Sequence, residues 1–165
     1  MPHKQSQILA TINTSPARRA FGIGVVGGLA ALLFYMALSQ NFAEFGYKVV
    51  LLLFAVAAAL LAARMLVATR EAIHLTPEAV VTASGTEIAR LDQIVKLDRG
   101  AFAFKPSNGF ILLLNTPLPR VWAPGLWWRM GKRVGVGGVT AAHETKAFAE
   151  MLTGLLMEAR PQDFK

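Results

Sequence analysis

The sequence predicts an α+β membrane protein: an N-terminal transmembrane helical hairpin, then a small antiparallel β-sheet or half-barrel closed by a C-terminal amphipathic helix. Three observations carry that reading. Two apolar stretches, residues 21–38 and 49–68, approach or reach the ~20 residues a helix needs to cross hydrocarbon. From Arg70 onward the composition becomes mixed and breaks into short strand-like pieces separated by turn residues. The last stretch, from about Ala141 to Ala159, carries apolar residues at helical spacing.

Composition supports the division. Of 165 residues 54% are hydrophobic and 16% charged, against about 25% charged in an ordinary soluble domain. The expected units are an N-terminal segment (residues 1–19), the hairpin (20–69) and a domain (70–165) long enough to bury its own core. The chain has no Cys, which excludes disulfides and thiolate metal sites and fits a reducing compartment. A net charge of +7 favours anionic surfaces, but in a membrane protein positive residues first of all mark the cytoplasmic side.

The first span has Arg18 and Arg19 before it, with Ser15-Pro16 as helix start. The second begins after Lys48 and carries Arg64 near its far end, within snorkelling reach of headgroups. Residues 39–47 connect them, with Phe42, Phe45 and Tyr47 suited to an interface. Lys4, Arg18, Arg19, Arg64 and Arg70 all flank one side, so both termini are expected in the cytoplasm of a multi-pass inner-membrane protein. A cleaved signal peptide competes, since Arg18-Arg19-Ala20-Phe21 loosely matches part of a twin-arginine signal and residues 37–39 a cleavage site. The long apolar run and the second span behind it argue against cleavage. Gly22, Gly24 and Gly27 spell G-x-G-x-x-G without the preceding strand a dinucleotide site requires. Gly24 and Gly28 are instead read as a small-residue face packing on residues 57–59 and 62–63 of the second span.

In the domain, strands are expected at residues 72–75, 79–83 and 87–91, with 94–97 a further strand or a continuation after a bend. Asp98-Arg99-Gly100 makes a turn. Residues 101–105 are expected to pair with 110–115 across Pro106-Ser107-Asn108-Gly109, where Asn-Gly is the chain's strongest hairpin signal. Residues 134–137 read as a last strand. Thr140 is the expected cap of the final helix, Phe148, Met151, Leu152, Leu155 and Ala159 its buried face, and Pro161 its stop.

With Ile73-His74-Leu75-Thr76-Pro77-Glu78-Ala79-Val80 and Glu87-Ile88-Ala89-Arg90-Leu91-Asp92-Gln93-Ile94-Val95-Lys96, the chain resembles the bacterial PH-like membrane proteins. The resemblance covers most of the chain and implies about seven short strands, one C-terminal helix and a non-enzymatic module at the bilayer surface. Residues 120–138, long and rich in Trp and Gly, depart from it.

No catalytic constellation emerges. His3, His74 and His143 do not cluster, and His143-Glu144 fails H-E-x-x-H because Ala147 stands at the second histidine position. There is no G-x-S-x-G, and Gly131-Lys132-Arg133 is not a phosphate loop. No metal or cofactor is expected. The informative segment is residues 117–133, where Arg120, Trp122, Trp127, Trp128, Arg129, Lys132 and Arg133 combine aromatic and cationic side chains. Pro117, Pro119 and Pro124 with Gly125 keep it from being one regular helix, and it is read as a loop. Such a loop suits the headgroup region, where each basic residue gains about 1 kcal/mol from anionic lipid. The simpler alternative packs the tryptophans into the core. That alternative leads for Trp122 and balances for Trp127 and Trp128, whose neighbouring positions in a strand face opposite ways.

The expectation is therefore a non-catalytic binding or assembly module that recruits or stabilises a membrane complex. Its partners would be membrane lipids, another membrane protein and, as an open alternative, further copies of itself; nucleic acid ranks last. The competing reading is a subunit of a membrane enzyme or transporter whose site forms between chains.

Overall fold

Both apolar stretches fold as helices in the computed structural model, which describes residues 7–39, 45–100 and 106–159. Helix α1 spans Pro16–Ser39 and α2 spans Phe45–Ala68; each is long and apolar enough to cross a membrane, with only 11% of its most apolar window buried. Pro16 opens α1, where its missing N–H is not needed. Phe45 and Tyr47 belong to α2 rather than to a connecting loop, and Phe42 lies outside the described residues. The helices pack along Ala30, Ala37, Ala55 and Ala62. Within each helix the two buried alanines stand seven residues apart, two turns on one face.

Gly24 and Gly28 are not on that face. Both are exposed, and a Cβ added at either would meet nothing within 4 Å. This corrects the expected packing: alanines, which hold a helix better than glycine, already allow close approach on the side facing α2.

Beyond the helices lie seven strands: β1 (Ala10–Ile12), β2 (Ile73–Leu75), β3 (Ala79–Thr82), β4 (Glu87–Arg90), β5 (Ile94–Asp98), β6 (Phe110–Ala123) and β7 (Trp127–Val136). They form two antiparallel sheets rather than one, ordered β1-β2-β3-β4 and β5-β6-β7. A short 3₁₀ turn at Leu91–Gln93 carries the chain from one sheet to the other. Helix α3 (Ala142–Ala159) packs against β1 and β5, stacking Phe148 on Phe110 with ring centroids 6.0 Å apart. Ile12, Ile73, Leu75, Val80 and Ile88 from the first sheet share one core with Leu112, Val134 and Val136 from the second and Leu152 and Leu156 from α3.

Several expectations need correction here. The segment before α1 is not a separate unit: β1 pairs with β2 in the register Ala10↔Leu75 and Ile12↔Ile73, and Ile12 is fully buried. The helical hairpin is thus an insertion between two neighbouring strands of one sheet. Residues 101–105, the expected partner of β6, lie outside the described residues; within them β6 pairs with β5, Asp98 opposite Ile111. The Asn-Gly turn is present, with Gly109 N–H bonded to Pro106 O at 3.0 Å and Asn108 at φ 52°. Thr140 does not cap α3 through its side chain, whose buried hydroxyl has no partner among the described residues. Glu144 fills a related role, accepting from the Asn13 N–H and tying the helix to the end of β1. Met151 and Ala159 are exposed, and Leu156 lies in the core instead. Pro161 lies outside the described residues.

Candidate functional site

The segment read as a loop is a β-hairpin, β6–β7. Two kinds of local chemistry let prolines sit in it. Between Leu113 and Leu118, and again between Leu118 and Val121, the register with β7 slips, so Pro117 and Pro119 fall in bulged stretches where a missing N–H breaks no ladder bond. At the tip, Leu126 N–H bonds to Ala123 O at 3.1 Å across Pro124-Gly125. Proline is preformed for the second turn position, and Gly125 takes the positive φ of 82° that the third requires.

This tip is fixed against the helices. A Cβ on Gly125 would touch Met65 and Thr69 of the α2 end at 3.0–3.3 Å. Gly125 O accepts from Val139 N–H at 2.9 Å, and Val139 O accepts from Ser15 N–H at 2.7 Å, just before α1. The exit of α2 is satisfied group by group. Met65 O accepts from Thr69 N–H and its hydroxyl, Leu66 O from Arg19 at 3.3 Å, Val67 O from Arg70 N–H and Ala68 O from Glu71 N–H. The last carbonyls of a helix need such donors. Arg19 is therefore more than a topology charge: it caps α2 from the start of α1. Arg18 reaches the other way, donating to the Asn108 side-chain oxygen.

The cross-strand pairs Trp122↔Trp128 and Ala123↔Trp127 sort the hairpin into two faces. Trp127 points inward, 4% exposed, as part of the core. Trp128 lies on the other face against Gly135, where an added Cβ would fall 2.4 Å from the indole ring. Trp122 corrects the core reading, standing 60% exposed, with Met130 beyond it at 56%. Arg120, Trp122, Trp128 and Met130 line one shallow hollow together with parts of Val121 and Arg129.

Arg129 is a structural residue rather than a free docking cation. Its guanidinium donates to Pro119 O at 2.9 Å and across to Glu87 O at 3.0 Å and Ile88 O at 2.9 Å, while lying 5.9 Å from the Trp127 ring centre. It thus supplies donors to β4 carbonyls and joins the two sheets where, among the described residues, no strand pairing does. Lys132 and Arg133 are exposed. Of the seven sequence-predicted residues, the structure brings Arg120, Trp122 and Trp128 together, turns Trp127 inward and assigns Arg129 to the fold. Sequence reading missed Met130 as a member of that face; alternation along β7 from Trp128 is the signal that finds it.

Trp122, with Ala123 and Pro124, also walls a groove against Leu60, Ala63, Arg64, Val67 and Ala68 of α2. Among the described residues no three His, Asp or Glu side chains converge as metal ligands would. No family model, curated protein or solved structure matches this chain.

Proposed function

We propose that this chain is a membrane-anchored, non-catalytic module of PH-like type, which holds a partner membrane protein at the cytoplasmic surface of a bacterial inner membrane. The β domain has four strands plus three and a C-terminal helix, near the count the PH-like resemblance implies, although six strands follow the hairpin and β1 precedes it. The observation that carries the reading is the outward face of β6–β7. It presents Trp122, Met130 and Arg120 beside the end of α2, a mixture of residue types enriched in binding interfaces. Because β1 and β2 flank the hairpin and pair in one sheet, both ends of the hairpin emerge on the same side.

The test is co-purification of the full-length chain in mild detergent. The double variant Arg120→Glu/Met130→Asp alters exposed side chains only and is expected to fold. It should lose a stoichiometric membrane partner by at least about tenfold, as hot-spot changes do. Equal recovery with wild type and variant would reject this face as the contact.

A further inference from the structure

We propose that the groove between α2 and β6 is a binding site for one anionic phospholipid, its acyl chain along α2 and its phosphate on Arg64. The inference rests on the membrane reading of the helices. The groove has a volume of about 490 Å³, within the range of small-molecule sites, and every wall except Arg64 is apolar or aromatic. A ligand that fits one cation at the edge of an oily channel has an apolar tail and an anionic head.

Arg64 is the pivot. It lies one turn before the end of α2 and is exposed, flanked by Leu60, Ala63 and Val67. No hydrogen bond or ion pair meets its guanidinium among the described residues; the same holds at Arg70, Arg120 and Arg133, but Arg64 is the one of these that lies within α2, on the wall of the groove. A guanidinium near hydrocarbon without a counter-charge is unfavourable, and a headgroup phosphate accepts its paired N–H groups in a planar fork. Trp122 lines the groove from the β side while staying 60% exposed, in keeping with the preference of indoles for a bilayer interface. The outward apolar side of α2 runs directly into this wall, so a lipid already against the helix slides in without crossing water.

The experiment uses the full-length chain, purified in mild detergent with equal phosphatidylglycerol and phosphatidylcholine, and counts retained lipid by native mass spectrometry. Wild type should keep phosphatidylglycerol preferentially. Arg64→Gln should lower that retention about tenfold, the worth of a charge-assisted hydrogen bond. Arg64→Lys should restore part of it, and Trp122→Ala should lower it less. Lys96→Gln removes the same charge from an exposed strand away from the groove and should change nothing. Thermal unfolding of each variant separates misfolding from lost binding. Equal retention of both lipids, equal retention by Arg64→Gln, or displacement by millimolar glycerol phosphate would each overturn the site. A chain that stays in the aqueous phase without detergent would instead bring down the membrane reading itself.

Discussion

Where α1 meets α2 the buried side chains are Ala30, Ala37, Ala55 and Ala62, while Leu29, Leu32, Leu53 and Phe54 are exposed. In the β domain the order is reversed: Phe110, Phe148, Leu112 and Leu152 are inside, and Lys96, Lys132, Arg133 and Lys146 are outside. In water, each apolar side chain left outside forgoes about 1.5–3 kcal/mol of burial. A bilayer removes that term, and helices in it associate by close contact of small residues instead. On the membrane reading proposed above the two regions are built for two solvents, and their meeting place is the ring of Arg19, Thr69, Gly125 and Val139 that joins them.

The sharpest way to break the comparison is to cut the domain where it passes through the hairpin. Deleting residues 1–12 removes β1 and leaves a hole at Ile12, a fully buried side chain on a strand that both β2 and α3 contact. We expect loss of the cooperative unfolding transition, read by near-UV circular dichroism in detergent, while the helices persist. The complementary chain replaces α1 and α2 by a short Gly/Ser linker from Thr14 to Arg70. The Thr14 hydroxyl already bonds to Thr69 O at 3.0 Å, so a few residues suffice. This chain should be soluble and folded; a fragment beginning at Arg70 should not be. If the Arg70 fragment folds as well, β1 is dispensable.

A paired substitution reads the inversion directly. Phe148→Ala empties the domain core and should destabilise it by about 3–5 kcal/mol. Leu53→Ala, the same kind of truncation on the outward side of α2, should leave unfolding in detergent nearly unchanged. The opposite change reverses the ranking, because Ala55→Leu overfills the contact with α1 and should weaken the hairpin by about 1–3 kcal/mol. Helix-pair separation measured by spin labels on α1 and α2 checks the last arm. An unshifted distance would mean that the alanine contact is not what holds the helices.

The helices and most strands were legible because apolar run length, alternation and turn residues act locally. What escaped is what depends on distant partners. Ala10–Ile12 is too short to signal a strand, and only β2, sixty residues on, makes it one. Residues 117–123 carry two prolines that argue against a strand, yet the bulges that accommodate them come from the pairing with β7. Trp122 and Trp127 look alike in sequence; which enters the core is decided by the cross-strand register, with Ala123 opposite Trp127. Arg129 reads as one more surface cation, and only the open edge of β4 gives it work. Of the candidate site, composition showed the residue types and the segment, while the division into a buried and an outward face came from the fold.

The smallest expected effect separates packing within the chain from packing between chains. Gly24 and Gly28 sit on the outer side of α1 with open space around them. Within one chain, Gly24→Ala/Gly28→Ala adds methyls that touch nothing and replaces two poor helix formers, so the hairpin should gain up to about 1 kcal/mol per site. Thermal unfolding in detergent should then shift slightly upward. If this face instead receives a second helix at close range, as small residues in spans permit, the methyls hold the helices apart and stability falls. Gly24→Leu enlarges the contrast: neutral for an isolated hairpin, disruptive for a packed one. Sedimentation of the wild type beside both variants reads the same distinction as a change in mass, so a drop in unfolding temperature without a drop in mass would mean that α1 meets something other than its own copy.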